Sequence, residues 1–307
     1  MNLRQLTYFL QIAELQSISR AASVLHVAQS SLSRQIQLLE HELGVLLFLR
    51  SDKGVTLTEA GHALQERSSA VLLQVRQIRD DMGVQSRTPR GELSFGLPPS
   101  MYRLLTVPLV CEFRQRYPEV QLLVTEGVSA AMHEAVLTAK LDIAVMSDVE
   151  PLSMLRSQLL LREQLFLVGA QAAGLDMATE MPVRELAERP LLLTSRPNAM
   201  RVIVDRALAE QGRRVKPAME TNSARLLCEL AAQGQGFSVL PYSAISAAFA
   251  DGRVSATPVT GLSVSWTLVS SRERSQTLAG HKLRELIVEI ARRQIAAGAW
   301  RGAVALD

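Results

Sequence analysis

The sequence predicts a multidomain fold: a mainly α N-terminal domain of three short helices and a hairpin, a long linker helix, and a C-terminal α/β domain of two subdomains. Three observations carry this. Apolar residues recur at helical spacing up to residue 43, a 3.5-residue period runs from Leu57 to Met82, and strand patterns alternate with helix patterns beyond Gly91. A chain of 307 residues exceeds the usual single core, and 48% hydrophobic with 21% charged residues excludes wholesale disorder.

In the first domain, Leu3, Leu6, Phe9, Leu10 and Ala13 form one helical stripe. Ala21, Ala22 and Leu25 form a second, with small residues that allow close helix crossing. The third is Leu32, Ile36, Leu39 and Leu43, with Gly44 where a C-cap is expected. "LFLRSDKGVTLT" then places two short apolar runs around Ser51-Asp52-Lys53-Gly54, which is hairpin chemistry.

Thr58 supplies a capping hydroxyl for the long helix, and Glu59 suits the positive end of its dipole. Leu57, Gly61, Leu64, Ser68, Val71, Val75, Ile78 and Met82 recur at alternating steps of four and three. Such a stripe packs either on its own domain or against a second copy. Its persistence for more than three heptads favours a dimer held by Leu64, Val71, Val75, Ile78 and Met82. "QSRTPRG", Gln85 to Gly91, breaks the helix and reads as an interdomain hinge. The expected domains are 1–58, 59–87 and 91–307.

Within the last, strand-like runs at 93–97, 120–126 and 142–146 alternate with helix patterns at Leu104–Tyr117 and Ala130–Ala139. After "LFLVGA" at 165–170 a second set follows: a strand at 190–194, a helix around 198–211, "KPAME", a helix at 224–233 and "GFSVLP". "VSWTLVSS" at 264–271 and a helix from Thr277 to Ala299 close the chain. Two subdomains with a return crossing result, one of about 91–162 with 266–307 and one of about 163–265. Ligands in such folds sit where strand ends meet helix N-termini.

Cys111 and Cys228 lie far apart among apolar residues of helix patterns, so buried, inert thiols are expected. Histidines 26, 41, 62, 133 and 281 have no metal-ligand spacing, and no metal or cofactor is expected. The N-terminus lacks the unbroken apolar stretch of a signal peptide, and no uncharged run of about 18 apolar residues occurs, so a cytoplasmic protein with no membrane partner is expected. There is no GxSxG, P-loop or HExxH, which argues against an enzyme. A solute-binding protein would fit the C-terminal pattern but not the additional N-terminal domain.

Net charge decides little, since residues 1–58 carry five basic and four acidic side chains. The informative stretch is "HVAQSSLSRQIQLLEHELG", His26 to Gly44, where small polar groups precede a leucine stripe. A recognition helix needs hydrogen-bonding residues at its N-terminal end to enter the major groove, while the remainder anchors to a core. Gln29, Ser30, Ser31, Ser33, Arg34 and Gln35 meet that need: Gln can bond adenine, Arg can bond guanine, and Ser suits phosphate or base edges. Arg50 and Lys53 on the hairpin would touch the phosphate backbone of double-stranded DNA. A solvent-facing helix start that merely tolerates Ser and Gln is the alternative.

Residues 1–61, with "RAASVLHVAQSSLSRQI", "LEHELGVLLF" and "LTEAG", resemble the winged helix-turn-helix of the LysR-type transcriptional regulators. "GLPPS" (96–100), "LDIAV" (141–145) and "GFSVLP" extend the likeness through the periplasmic-binding-protein-like half, and the pattern is most similar to the nitrogen-assimilation-control branch. The resemblance implies operator contacts from Gln29, Ser30, Ser33 and Arg34, with Arg50 and Lys53 on the wing. It also implies a homodimer and homotetramer, an imperfect palindromic site, RNA polymerase as partner, and control of nitrogen or amino-acid genes. The chain departs from the family's Ser-Gln-Pro by reading Ala28-Gln29-Ser30. Losing the cap hydroxyl costs about 1 kcal/mol, and losing the proline removes preorganisation.

For the C-terminal half the resemblance implies a pocket for a small-molecule, anionic effector between the subdomains. Ser100, Ser129, Thr194, Ser195, Asn198 and Phe237 are the expected contacts, and Arg196 or Arg201 the candidate cation. Ser100 and Ser129 have a second reading as simple helix caps. An effector-independent regulator that binds and bends DNA is the functional alternative.

Overall fold

The computed structural model describes residues 1–51, 54–82, 88–147, 154–272 and 277–306. The chain forms two compact units, one of Met1–Gln85 with Thr138–Lys140 and the other of the remaining residues.

In the first unit, α1 (Leu3–Leu15) begins with a capping box: Asn2 accepts the Gln5 N–H at 2.9 Å and Gln5 accepts the Asn2 N–H at 3.0 Å. α2 (Ile18–Val24) is capped by Ser17, and α3 (Gln29–Leu43) ends at Gly44, whose φ of 70° is the left-handed cap that glycine allows. Tyr8, Phe9, Ile12, Ala21, Ala22, Leu32, Ile36 and Leu39 fill the core between these helices. Strands β1 (Phe48–Ser51) and β2 (Gly54–Leu57) pair antiparallel, with Ser51 opposite Gly54.

Helix α4 (Glu59–Met82) starts as expected, with Thr58 Oγ1 accepting the Gly61 N–H at 3.0 Å and donating to the Leu46 carbonyl at 2.7 Å. The stripe along α4 divides. Gly61 lies so close to the wing that an added Cβ would stand 2.2 Å from the Leu47 carbonyl oxygen, and Leu64 packs on the N-terminal core. Val71 is exposed and Val75 half-buried. The side chains of Ile78 and Met82, and residues 85–87 of the expected hinge, lie outside the described residues.

The second unit holds two lobes built alike. In the first, β3 (Gly91–Leu97), α5 (Val107–Arg116), β4 (Val120–Glu126), α6 (Ser129–Leu137) and β5 (Ile143–Ser147) give parallel strands with β3 between β4 and β5. β6 (Leu155–Ala170) leads to the second lobe. There β7 (Leu191–Thr194), α7 (Ala199–Glu210), β8 (Met219–Thr221), α8 (Ala224–Ala232) and β9 (Phe237–Pro241) repeat the pattern, with β7 between β8 and β9. After α9 (Tyr242–Ala250), β10 (Val254–Ser271) returns antiparallel to β6, pairing with β5 in the first lobe as β6 pairs with β9 in the second. α10 (Leu278–Ala296) and β11 (Ala303–Ala305), which pairs with β6, complete the chain.

Four expectations need correction. The crossing strands are longer than the runs at 165–170 and 264–271, because Arg156–Leu159 form an exposed edge without apolar alternation and Pro258 interrupts the pattern of β10. α9 and β11 escape the sequence reading. α9 is "YSAISAAFA", buried on most sides and so without a polar face to mark its period. The helix expected from Leu104 starts instead as a 3-10 turn at Pro99–Met101 and a π turn at Tyr102–Thr106; Pro108, lacking an N–H, cannot join a regular ladder. Cys111 is exposed, not buried, because α5 turns Leu109 and Phe113 to the core and the residue midway between them faces outward.

Two predictions follow from this packing. Gly61→Ala gains about 1 kcal/mol in helix propensity but must displace backbone at Leu47, an overpacking cost of about 1–3 kcal/mol. A net loss of stability in urea unfolding is expected, and a gain would refute the close contact. Cys228 is buried and its thiol is pushed up to about 11, chiefly by burial, so near neutral pH a maleimide should label Cys111 quickly and Cys228 only on unfolding. Peptide mapping after labelling checks this.

Candidate DNA-reading helix and effector cleft

Helix α3 has two faces. Leu32, Ile36 and Leu39 are at most 1% exposed, whereas Gln29, Ser30, Ser31 and Arg34 are open to solvent and Ser33 and Gln35 half-buried between them. Ala28 provides no side-chain cap, as its missing hydroxyl implies. Arg34 makes no hydrogen bond or ion pair with the described residues, so its guanidinium is uncommitted. Gln35 differs: its Oε1 accepts from Gln5 Nε2 of α1 at 3.3 Å, which fixes the amide orientation.

Sequence reasoning overlooks the group that ties α3 to the wing. Glu40 Oε1 accepts the backbone N–H groups of Leu47 at 2.8 Å and Phe48 at 3.3 Å, joining the end of the helix to the start of β1. Only its place in "LEHELGVLLF", seven residues before Leu47, could have signalled this. Lys53 and the Arg50 side chain lie outside the described residues.

In the second unit Ser100, Ser129 and the 194–198 turn stand at or just after the carboxyl ends of the parallel strands, whereas Phe237 opens β9 and so lies at the opposite, amino end, away from the expected cleft position. Ser100 follows β3 on the 3-10 turn, which packs against α8 and α9 of the other lobe. Its hydroxyl is buried without a hydrogen-bond partner, as is that of Thr106 on the adjoining π turn, a residue the sequence did not single out. Ser129, opening α6, is engaged: its Oγ accepts the Ser147 N–H at 2.9 Å and lies 3.0 Å from Ser147 Oγ.

Across the cleft, Thr194 ends β7 and is buried. The Ser195 N–H donates to the Thr221 carbonyl at 2.9 Å, and Asn198 caps α7 by accepting the Met200 N–H at 3.0 Å. Phe237, half-buried at the start of β9, carries the Arg189 guanidinium 5.0 Å from its ring centre. The candidate cations are both spent internally. Arg196 and Arg201 share Asp205, and Arg201 also meets Glu220 at 2.8 Å and the Thr194 carbonyl at 3.2 Å. Burial opposes the Arg201 charge, but the hydrogen bonds to Glu220 and Asp205 outweigh it and hold the group above its ordinary value.

No helix among the described residues is long and apolar enough to cross a membrane, and no group of three or more His, Cys, Asp or Glu residues there could hold a metal ion.

Comparison with known proteins agrees in both units. Residues 3–62 match the family described as bacterial regulatory helix-turn-helix protein, lysR family, and residues 86–292 match the LysR substrate binding domain. The chain is 32% identical to the HTH-type transcriptional regulator BbuR of Bordetella bronchiseptica, over 97% of this chain and 92% of that protein. It is 35% identical to the nitrogen assimilation regulatory protein nac of Escherichia coli, over 80% and 79% of the two chains. Over half of each chain it is 38% identical to the HTH-type transcriptional activator IlvY of Salmonella typhimurium, with 50% and 52% covered.

Among solved structures, a full-length OxyR variant from Pseudomonas aeruginosa matches with a TM-score of 0.75 over 95% of both chains. Full-length CbnR complexed with its target DNA matches at 0.67 over 95% of this chain and 99% of that one. Both are 23% identical and speak for the fold. Two domain matches in the family's order, and a relative similar along nearly its whole length, place the chain in the LysR family of DNA-binding transcriptional regulators, which are not enzymes.

Proposed function

We propose that the chain is a cytoplasmic regulator that binds an imperfect palindromic promoter site as a dimer of dimers and acts with RNA polymerase. In this reading residues 1–58 bind DNA, 59–87 pair the copies, and 91–307 respond to a small molecule. The observation that carries it is the divided surface of α3, with Gln29, Ser30, Ser31 and the uncommitted Arg34 facing outward and a leucine core behind. The nitrogen assimilation regulatory protein nac among its relatives supports nitrogen-related genes as targets. In the cleft the unpartnered Ser100 hydroxyl is the best placed to meet an effector.

A second reading, a regulator that needs no effector, is favoured by the cleft groups already satisfied within the chain: Ser129, Asn198 and Arg201. Thermal melting against a panel of small organic acids separates the two readings. A saturable rise in Tm that Ser100→Ala abolishes supports the effector, and no shift with any member supports the second.

At fixed salt, Arg34→Ala should cost about 1–3 kcal/mol on the promoter upstream of the protein's own gene and relax base preference there, whereas Lys53→Ala should weaken specific and scrambled duplexes alike. Identical effects of both changes on both duplexes would overturn the assignment of reader and wing. Val75→Glu, which puts a charge on the seam of α4, should yield monomers in sedimentation velocity. Unchanged oligomers would remove the seam from the interface.

A further inference from the structure

Where the crossing strands meet α10, positive charges gather that pair with no acid among the described residues. Arg284 of α10 is half-buried, and neutral groups alone hold its guanidinium: Nη1 donates to Gln158 Oε1 at 3.0 Å and Nη2 to Ser270 Oγ at 3.0 Å. Its Nε–H is buried and has no hydrogen-bond partner. An arginine keeps its charge under all ordinary conditions, so a covered donor left unpaired on it is costly, and a bound anion relieves that cost.

Two more cations stand beside it. Arg156 of β6 pairs with Ser270 of β10, and residues two apart on a strand share a face, so Arg156 is on the face that carries Gln158 and Ser270. Its side chain is exposed and makes no hydrogen bond or ion pair with the described residues. Arg272, two residues after Ser270, gives its Nε–H to the Leu155 carbonyl at 2.8 Å and is otherwise open. The acids on adjoining segments are engaged elsewhere. Asp142, just ahead of β5, accepts the Ser94 N–H at 2.8 Å and hydroxyl at 2.7 Å, and Glu285 pairs with Lys282 at 2.8 Å. Burial first, and the Arg156 charge second, hold the Arg284 guanidinium below its ordinary value.

This group lies away from the expected effector cleft. Ser270 pairs with Ile143 at the amino end of β5, whereas Ser147, which holds Ser129, ends that strand opposite Trp266. Charge sets the class of ligand. A carboxylate brings one negative charge and two oxygens in a plane, and one guanidinium fork satisfies it. Three cations from three segments suit a phosphate group, which brings close to two charges and oxygens in several directions.

We propose that Arg284, Arg156 and Arg272 form a phosphate-binding site on the first lobe, which takes inorganic phosphate or the phosphate group of a small monoester. Arg284 supplies the covered donor, and the exposed Arg156 and Arg272 supply the solvent-side ones. Filled, the site ties α10 to both crossing strands. It does not depend on the effector reading of the cleft.

Calorimetric titration of the full-length protein with inorganic phosphate, at an ionic strength held constant with sodium chloride, tests it. Saturable binding is expected, weakened about tenfold or more in Arg284→Gln and in Arg156→Gln. The cleft variant Ser100→Ala and the reading-helix variant Arg34→Ala should bind as the wild type does. Arg156 is exposed, so its variant keeps the test decisive if Arg284→Gln does not fold. Methyl phosphate separates the two sources: tighter binding than inorganic phosphate identifies a phosphorylated metabolite, and equal or weaker binding the free ion. No saturable heat with either phosphate, binding kept in both arginine variants, binding lost instead in Ser100→Ala or Arg34→Ala, or acetate held as tightly as phosphate would overturn the site.

Discussion

The second unit depends on the antiparallel pairing of β6 and β10. β6 carries the chain from one three-stranded parallel sheet to the other, and β10 carries it back. With β3 central in one lobe and β7 in the other, each lobe meets the ribbon through one edge, β5 on β10 and β9 on β6. The parallel strands then deliver Ser100 and Ser129 from one lobe and Thr194 from the other at their carboxyl ends. A fault in the ribbon would misplace all three, and at its middle the buried Glu163 of β6 ties the ribbon to α9 and the C-terminal arm by accepting four hydrogen bonds from Ser243, Trp266 and Trp300. Desolvating a carboxylate is expensive, and here hydrogen bonds alone offset it.

In the first unit one helix answers to two solvents. Leu32, Ile36 and Leu39 fix the axis of α3 on the core, so the outward direction of residues 29–31 and 34 is a consequence of packing. Glu40 then ties the far end of that helix to the wing through two N–H bonds. The Ala28 departure removes one cap bond, but rigidity comes from the other end and from the core. Loss of the hydroxyl therefore bears on fraying of the first turn of α3 more than on the position of the helix.

Much of this was legible in the sequence because the relevant surfaces are amphipathic. α3 and α8 each have one wet face, and a period records that. What escaped lacks a wet face or breaks the period. α9 is buried nearly all round, the start of β6 is an exposed edge, and Pro108 turns the entrance of α5 into a π turn. Glu163 escaped for a related reason: its partners lie 80, 103 and 137 residues away, and a single acid between Arg162 and Gln164 looks like surface. The division of the α4 stripe was equally hidden, since Gly61 and Leu64 serve their own domain while keeping the spacing of the seam.

If the cleft takes an effector as proposed, the state of its cations narrows the chemistry of that effector. Arg196 and Arg201 face Asp205 and Glu220, so two positive charges meet two negative ones and the turn after β7 presents no surplus charge to a ligand. An anion entering there would have to displace Asp205 or Glu220, losing charge-assisted hydrogen bonds that are already made. Recognition by hydroxyls and backbone N–H groups avoids that loss. The unpartnered hydroxyls of Ser100 and Thr106, both on the segment after β3, are the groups that gain most from a new acceptor. In the proposed effector reading, the weight of recognition therefore falls on the first lobe more than the second, and on hydrogen bonding more than on charge.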